Sequence, residues 1–321
     1  MQNLQTVFAS RRGEVAAVDD VSFEVAEREV LGIVGESGSG KSVTALSIMG
    51  LLPKPPARIA GGSIRFAGED LLALNERAMR RLRGPGIGMI FQEPMTSLNP
   101  IFSIGNQLTE TIGAHERLSP RARRARAIAM LAKVGIAAPE RRLGDYPHQL
   151  SGGMRQRVMI AMALACNPKL LIADEPTTAL DVTIQAQILE LLLGLRDEFG
   201  MAVIIITHNM GVVAEMADRV LVMYAGKIVE RAAVDDLFEK PAHPYTRGLL
   251  DSIPAIDEAR TRLRTIPGML PSPAALPPGC RFAPRCAWQI AACNAAVPPL
   301  DPAEGPGHDA ACIRLSEVAA S

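Results

Sequence analysis

The chain carries the stretch Gly35-Glu36-Ser37-Gly38-Ser39-Gly40-Lys41-Ser42, which fits the pattern G-x-x-x-x-G-K-[ST]. An apolar run, Glu29–Val34, precedes it and predicts a buried strand. A helical pattern, Lys41–Leu51, follows it. A strand, a glycine-rich loop and a helix in this order are the context in which the pattern binds nucleotide phosphates rather than being a chance turn.

The chemistry of this loop comes from its backbone and from two side chains. Glycines let backbone N–H groups turn inward around phosphate oxygens, and the helix N-terminus adds a partial positive charge. We expect Lys41 to reach the β- and γ-phosphates of a nucleotide, and the Ser42 hydroxyl to bind Mg²⁺. The residues expected to contact the nucleotide are Gly35, Glu36, Ser37, Gly38, Ser39, Gly40, Lys41, Ser42 and Val43.

A second apolar run, Leu170–Ala173, is followed by two carboxylates. Asp174 at the end of a strand is suited to hold Mg²⁺ or its water shell. Glu175 lies one residue further and points elsewhere, where a carboxylate acts on an attacking water as a general base. The alternative, an acidic strand end in a loop, is disfavoured because the phosphate loop is present in the same chain.

The composition limits the classes of protein to which the chain can belong. Of its 321 residues, 48% are apolar and 21% are charged, which is ordinary for a globular protein. Its 34 basic residues balance its 34 acidic residues, so the charge does not favour binding to nucleic acid. The longest clean apolar run is Val158–Cys166, too short to span a bilayer, and residues 1–10 lack the pattern of a signal peptide. We therefore expect a cytoplasmic protein with reduced cysteines.

Strand and helix patterns alternate along the chain and predict an α/β fold with a mostly parallel sheet. Further strands are expected at Ile87–Phe91, Val203–Ile206 and Val220–Met223, and further helices at Val182–Leu195 and Met210–Met216. The region from Ile104 to Lys133 is helical in pattern, with Ser119-Pro120 as a helix start.

The proline content divides the chain into two parts. Of the 24 prolines, 13 lie between Pro241 and Pro306, which places a boundary near residues 235–240. We expect a nucleotide-binding domain over residues 1–238, with a helical subdomain at about 93–160, and a C-terminal extension over residues 239–321.

Residues Leu150–Arg157, LSGGMRQR, begin another predicted helix with small residues. Exposed N–H groups at that helix start would form a second anion site. The simpler alternative is that Ser151 only caps the helix.

Taken together, these motifs resemble those of the ATP-binding subunit of an ATP-binding-cassette transporter, over roughly residues 3–321. In that family, residues 150–154 correspond to the signature loop. The resemblance implies a P-loop NTPase core with a mostly parallel sheet, an antiparallel β subdomain, a helical signature subdomain and an irregular extension rich in Pro and Cys. It also implies that two cassettes pack head to tail, so that Ser151, Gly152 and Gly153 of one complete the ATP site at Lys41 of the other.

Three more positions match this family residue by residue. Gln92 resembles the glutamine that contacts Mg²⁺ or the lytic water, and Asp181 resembles an aspartate at the cassette interface. His208 resembles the histidine that contacts the γ-phosphate, although Asn209 follows it where an aspartate is more usual. The residue that stacks on adenine is expected near residues 8–12, with Phe8 and Arg12 as the two alternatives.

The subfamily is indicated by two stretches, FQEPMTSLNP at residues 91–100 and HPYT at residues 243–246. Both resemble oligopeptide and dipeptide importers. The implied function is ATP hydrolysis that drives peptide import, at the cytoplasmic face of the inner membrane and without nucleic acid. The implied partners are a second, different cassette, two transmembrane permeases and an extracytoplasmic binding protein.

Other functions remain open at this point. Relatives of this type also import nickel, glutathione or sugars, and nothing in the chain selects the cargo. A soluble ATPase of the DNA-repair or ribosome-associated class is disfavoured because the chain has neither a long heptad insert nor a second cassette. A non-catalytic cassette is disfavoured because the site residues are intact.

The chain has five cysteines. Cys166 lies in the helix after the signature and is expected in the core. The other four have the spacing C-x5-C-x6-C-x18-C in the extension: Cys280, Cys286, Cys293 and Cys312. The resemblance to peptide importers implies that they bind a 4Fe–4S cluster. Unligated thiols, zinc and disulfides are the alternatives.

Overall fold

The computed structural model describes residues 1–11, 13–92, 97–178, 180–253, 265–303 and 305–319. It forms two compact units. The first unit contains Met1–Glu24, Val30–Ala73 and the chain from Ile206 onward. The second contains Val25–Glu29 and Leu74–Ile205.

The described residues form strands and helices that alternate over much of the chain, as in an α/β fold. The strands are β1 (Gln2–Ser10), β2 (Gly13–Val21), β3 (Val30–Val34), β4 (Ala57–Ser63), β5 (Arg65–Phe66), β6 (Glu69–Asp70), β7 (Ile87–Ile90), β8 (Leu170–Asp174), β9 (Ala202–Thr207), β10 (Arg219–Tyr224), β11 (Lys227–Ala233), β12 (Asp301–Pro302) and β13 (Asp309–Ala310). The helices are α1 (Lys41–Met49), α2 (Glu76–Leu82), α3 (Ile104–His115), α4 (Pro120–Lys133), α5 (Pro139–Arg142), α6 (Gly152–Leu164), α7 (Val182–Phe199), α8 (Met210–Met216), α9 (Val234–Glu239), α10 (Pro244–Asp251) and α11 (Leu315–Ala319).

The first unit contains strands of a mixed sheet and, separately, an antiparallel sheet. The neighbouring strands β12, β13, β11, β10 and β3 lie in this order, with β10 parallel to β3 and antiparallel to β11. All five residues of β3 are buried, as the continuous apolar run predicts for a strand covered on both faces. A separate antiparallel sheet has the order β2-β1-β4.

Helix α1 begins directly after the phosphate loop and ends two residues earlier than its sequence pattern predicts. Gly50 has φ 61°, and its N–H bonds to the carbonyl oxygens of Leu46 and Ser47. A residue in the left-handed region closes the last turn, and glycine adopts it without steric cost. The helix therefore stops at Met49 although Leu51 continues the apolar pattern.

The second unit contains the parallel pair β7 and β8 and a group of helices. Ser103 and Ser119 cap α3 and α4, with side-chain oxygens that accept hydrogen bonds from Asn106 N and Ala122 N. Pro120 takes the first position of α4, where its missing N–H costs nothing. The predicted helical region from Ile104 to Lys133 is confirmed.

Within the first unit, the C-terminal extension packs against the strands through aromatic rings and one buried carboxylate. The rings of Tyr224, Tyr245 and Phe282 lie 4.7–5.4 Å apart in edge and tilted contacts. The buried Glu230 carboxylate accepts hydrogen bonds from Ala242 N at 2.7 Å, and from His308 Nε2, whose ring is the donor, at 2.8 Å. These contacts hold the extension although most of its described residues are irregular.

Across the described residues, every helix is too short or too polar to cross a membrane.

The buried imidazole of His243 makes the stability of the extension depend on pH. His243 is 1% exposed, and its Nδ1 accepts a hydrogen bond from Tyr245 N at 3.0 Å, which caps α10. Burial lowers the pKa of His243 to about 4, against the attraction of the nearby Glu230. The native protein therefore holds this imidazole neutral, while the unfolded chain protonates it below about pH 6.5.

We expect the free energy of unfolding to fall as the pH decreases from about 6.5 to 4, by up to about 1.4 kcal/mol per pH unit from His243 alone. His243→Asn keeps a cap acceptor but has no titrating ring, so its stability should fall less steeply. Urea unfolding at each pH measures the difference. His148→Asn, at an exposed position, is the control and should follow the wild type; equal slopes for wild type and His243→Asn would contradict the prediction.

Candidate nucleotide site

The predicted phosphate loop forms in the first unit between β3 and α1. Its glycines have positive φ, 83° at Gly38 and 107° at Gly40. A Cβ atom added to Gly40 would lie 2.6 Å from the Ala17 carbonyl oxygen, and one added to Gly35 would lie 2.2 Å from the Met223 carbonyl oxygen. The loop is therefore pressed against neighbouring backbone, and both positions require glycine.

The Lys41 ammonium lies inside the curve of this loop. Lys41 is 5% exposed, and its Nζ donates to the carbonyl oxygens of Gly35 at 2.6 Å and Glu36 at 2.9 Å. Its position at the N-terminus of α1 adds the positive end of the helix dipole. The loop, the ammonium and the helix start together form a site for an anion with several oxygens, such as a nucleotide phosphate chain.

The loop also contacts the C-terminal extension, which sequence reasoning missed. The Glu36 N–H donates to Tyr245 Oη at 2.8 Å, and the Glu36 carboxylate forms a paired hydrogen bond with Arg285. Glu36 and Arg285 are 249 positions apart in the chain. The charge of Glu36 is the only local signal at this position, and it does not indicate which residue pairs with it.

In the second unit, the two predicted carboxylates follow β8 and have different surroundings. Asp174 is 4% exposed at the end of the strand, while Glu175 has φ 48° in the left-handed region. Glu175 Oε2 accepts hydrogen bonds from Gln92 Nε2 at 3.1 Å and from Thr178 Oγ1 at 2.7 Å. The structure therefore brings Gln92 and Glu175 together, and adds Thr178, which the motif analysis did not include.

The signature stretch begins α6 in the same unit. Ser151 is exposed, and its Oγ accepts a hydrogen bond from Met154 N at 3.4 Å, so the expected N-cap is present. Gly152 follows it, and a Cβ added to Gly153 would lie 3.0 Å from Ile184 Cγ2. Asp181 caps α7 by accepting from Ile184 N at 2.9 Å.

The other predicted residues of the nucleotide site are His208 and the two candidates for the adenine contact, Phe8 and Arg12. His208 is exposed directly after β9, and Asn209 caps α8 by accepting from Gly211 N at 2.9 Å. Phe8 lies on β1 and is partly exposed. Arg12, the other candidate for the adenine contact, lies outside the described residues, as do Glu93–Thr96 of the stretch after Gln92.

Four cysteines of the extension line one cavity, together with Phe282, Trp288 and other residues: Cys280, Cys286, Cys293 and Cys312. These thiols are free, as is that of the buried Cys166, so the disulfide alternative is wrong. Burial raises the pKa of Cys286 to about 11. Among the described residues, no group of three or more His, Cys, Asp or Glu side chains is arranged to hold a metal ion.

Family models match two parts of the chain. Residues 18–178 match the ABC transporter model. Residues 229–293 match the model of the oligopeptide/dipeptide transporter C-terminal region.

Curated relatives match nearly the whole chain. The oligopeptide transport ATP-binding protein AppD of Bacillus subtilis is 53% identical over 300 residues, covering 94% of this chain and 92% of its own. A protein of Sinorhizobium fredii named as a probable peptide ABC transporter ATP-binding protein is 55% identical over 319 residues, covering 99% and 95%.

A solved structure of similar fold is the dimeric ATP-binding cassette MJ0796 in a post-hydrolysis state bound to ADP and Pi. It is 29% identical, with a TM-score of 0.65, over 73% of this chain and 97% of that one. With the phosphate loop and the two family models, these matches show that the chain belongs to the ATP-binding-cassette transporter family and carries the C-terminal region of its oligopeptide/dipeptide members.

Proposed function

We propose that this chain is the ATP-hydrolysing subunit of a membrane importer of di- and oligopeptides. The observation that carries the proposal is the Lys41 ammonium inside a loop that matches the phosphate-binding pattern, in a chain that also has the peptide-transporter C-terminal region. The names of its relatives support the same cargo.

Nucleotide binding is the first step that the residues support. The amides of residues 38–42 and the Lys41 ammonium bind the phosphate chain, where Lys41 exchanges its carbonyl partners for phosphate oxygens. The donor set of Ser42, Gln92 and Asp174 is a hydroxyl, an amide oxygen and a buried carboxylate, which are the hard oxygen ligands that Mg²⁺ prefers. These three residues would hold the metal, which supplies neutralisation of phosphate charge. Phe8 or Arg12 would contact the adenine.

Hydrolysis is the second step, and Glu175 is the proposed general base. Gln92 and Thr178 both donate to one carboxylate oxygen, Oε2. Because that oxygen is held, the direction of the second carboxylate oxygen is also fixed. Its left-handed backbone is an uncommon conformation for a glutamate, and strain of this kind is concentrated at functional sites. His208 would hold the γ-phosphate, since phosphoryl transfer depends on positioning and charge neutralisation.

Glu175→Gln should bind Mg·ATP with nearly the wild-type dissociation constant and hydrolyse it about 100-fold to 10,000-fold more slowly, because the amide cannot accept the proton of water. Nucleotide binding and phosphate release measure the two effects separately. The exposed Glu190→Gln, in the same unit, is the matched control and should turn over normally. Hydrolysis by Glu175→Gln at the wild-type rate would exclude Glu175 as the base.

We further propose that two cassettes pack head to tail and that the partner is a different chain. Ser151, Gly152 and Gly153 lie at the exposed start of α6, where N–H groups and the helix dipole favour the γ-phosphate held by the other cassette. Asp181, exposed at the start of α7, would lie in the same interface. The dimeric state of the cassette MJ0796 supports this arrangement.

In this proposal the nucleotide-binding domain covers residues 1–238, with its helical subdomain at about 93–160, and the extension covers residues 239–321. The assembly contains two transmembrane permeases and an extracytoplasmic peptide-binding protein, and this subunit lies peripherally on the cytoplasmic face of the inner membrane. Nucleic acid has no place in it.

Purification of tagged Glu175→Gln protein from native membranes in mild detergent with ATP tests the assembly. ATP held unhydrolysed should keep the cassettes closed, so two multi-spanning permeases and a second cassette should copurify. Lys41→Ala, which should lose nucleotide, is the control for ATP dependence. Recovery of ribosomal or DNA-repair proteins instead would overturn the importer.

For the extension we propose a 4Fe–4S cluster bound by its four cysteines. The support is that all four thiols line one cavity in a segment with little regular structure. A 4Fe–4S cluster is held by four cysteine thiolates, and the cavity supplies four cysteines.

Protein purified without oxygen should contain about four iron atoms and four sulfides per chain and absorb near 400 nm. Cys286→Ser should lower the iron content, while Cys166→Ser, at a buried core position, should retain it. Wild-type protein without iron, sulfide or this absorbance would exclude the cluster.

A further inference from the structure

We propose that Arg285 of the C-terminal extension is a positioning residue of the nucleotide site, which holds the phosphate loop in its binding conformation through Glu36. The inference rests on the proposed ATP binding at Lys41. It gives the extension a direct part in nucleotide affinity.

Arg285 is oriented rigidly toward the loop. Its side chain is 6% exposed, and its Nη1 and Nη2 donate to the two Glu36 carboxylate oxygens at 2.9 and 3.0 Å. Its Nε donates to the Pro267 carbonyl oxygen at 2.9 Å, and its guanidinium lies 5.8 Å from the centre of the Tyr224 ring. A planar guanidinium fixed on several sides defines the direction of the carboxylate that it binds.

Glu36 passes this constraint to the phosphate-binding lysine. Its N–H donates to Tyr245 Oη at 2.8 Å, so both its backbone and its side chain are held by residues C-terminal to β11. Its carbonyl oxygen accepts from Lys41 Nζ at 2.9 Å. Movement of Glu36 would therefore displace one of the oxygens that position the ammonium.

Charge gives a second reason for Arg285. A carboxylate in a loop that binds a triphosphate repels the ligand, unless a cation neutralises it. The paired hydrogen bonds place the Arg285 charge directly on Glu36, in a half-buried setting where solvent screens the interaction less than at the surface. Without Arg285, the Glu36 carboxylate would stand uncompensated in the loop that binds the phosphate chain.

A neighbouring arginine of the extension offers a matched control. Arg281 is similarly buried, and it ion-pairs with Asp19 and donates to the Ala225 carbonyl oxygen at 2.5 Å. It therefore docks the extension through direct partners outside the phosphate loop, and it reaches the loop only through Gly226, whose N–H donates to the Ser39 carbonyl oxygen at 2.8 Å. Replacement of Arg281 tests docking, whereas replacement of Arg285 tests docking and loop position together.

The experiment measures Mg·ATP dissociation constants, KM and kcat for full-length wild type, Arg285→Gln and Arg281→Gln, with thermal unfolding as the check of folding. Arg285→Gln should raise the dissociation constant and KM about 10- to 100-fold, as loss of a charge-assisted hydrogen bond predicts, with kcat at saturating ATP nearly unchanged. Arg281→Gln should lower the unfolding temperature and raise the dissociation constant clearly less than Arg285→Gln does, because it reaches the phosphate loop only indirectly. Arg285→Lys, which keeps the charge but not the paired geometry, should give an intermediate affinity.

The double variant Glu36→Gln/Arg285→Gln separates charge from structure. Removal of the carboxylate should restore part of the affinity that Arg285→Gln loses, because the repulsion of the phosphates disappears. Glu36→Gln alone, which leaves the extension untouched, keeps the test valid if Arg285→Gln folds poorly: it should bind ATP at least as well as the double variant.

The inference is overturned by an Arg285→Gln dissociation constant within twofold of wild type, by an equal loss in Arg281→Gln, or by a double variant that binds no better than Arg285→Gln. Failure of the proposed function gives a different result. In that case wild type and Lys41→Ala would bind Mg·ATP equally poorly, and neither arginine would change the signal.

Discussion

The phosphate loop has its shape because backbone carbonyl groups press against it at the positions of its glycines. The Ala17 oxygen lies 2.6 Å from the position that a Cβ of Gly40 would take, and the Met223 oxygen lies 2.2 Å from the position that a Cβ of Gly35 would take. These oxygens belong to β2 and β10, strands of two different sheets of the first unit. The direction of Lys41 and of the loop amides thus depends on how these strands pack, and the rest of the site depends on that direction.

A buried ammonium explains why the loop is both stable and ready for a ligand. Lys41 is desolvated, and an unpaired charge in that position would be costly. The carbonyl oxygens of Gly35 and Glu36 offset the cost, and both belong to the loop itself. Phosphate oxygens carry more negative charge than carbonyl oxygens, so a nucleotide competes well for the same N–H groups.

The sequence predicted the parts of the fold that depend on local patterns. Five buried strands, β3 and β7–β10, lie within one residue of their predicted bounds. A continuous apolar run bounded by glycine or polar residues shows where a buried strand begins and ends. The cap of α4 was predicted from Ser119-Pro120, and a cap of α6 by Ser151 was the simpler of two interpretations, whereas the cap of α3 by Ser103 was not predicted. The pairing β2-β1-β4 was not, since the residues of β1 and β2 alternate weakly between buried and exposed positions.

Parts of the site were out of reach of motif analysis for a different reason. The Glu36–Arg285 pair joins residues 249 positions apart, and no periodicity links them. The spacing of the four cysteines gives their number and order, but only the fold shows that they line one cavity. The left-handed backbone of Glu175 follows from the turn after β8, and a glutamate gives no sequence signal for it.

The first unit joins the phosphate loop to the cysteine cavity through a short path of packed side chains. Phe282 lines the cavity and packs against Tyr224 and Tyr245, and the latter holds Glu36 N. Arg285 follows Phe282 by one helical turn and directly precedes Cys286, so the residue that binds Glu36 is covalently next to a cavity thiol. The same short segment therefore contributes a ring and a thiol to the cysteine cavity and a guanidinium to the phosphate loop. Through Tyr245 and Arg285 the extension contacts the phosphate loop directly.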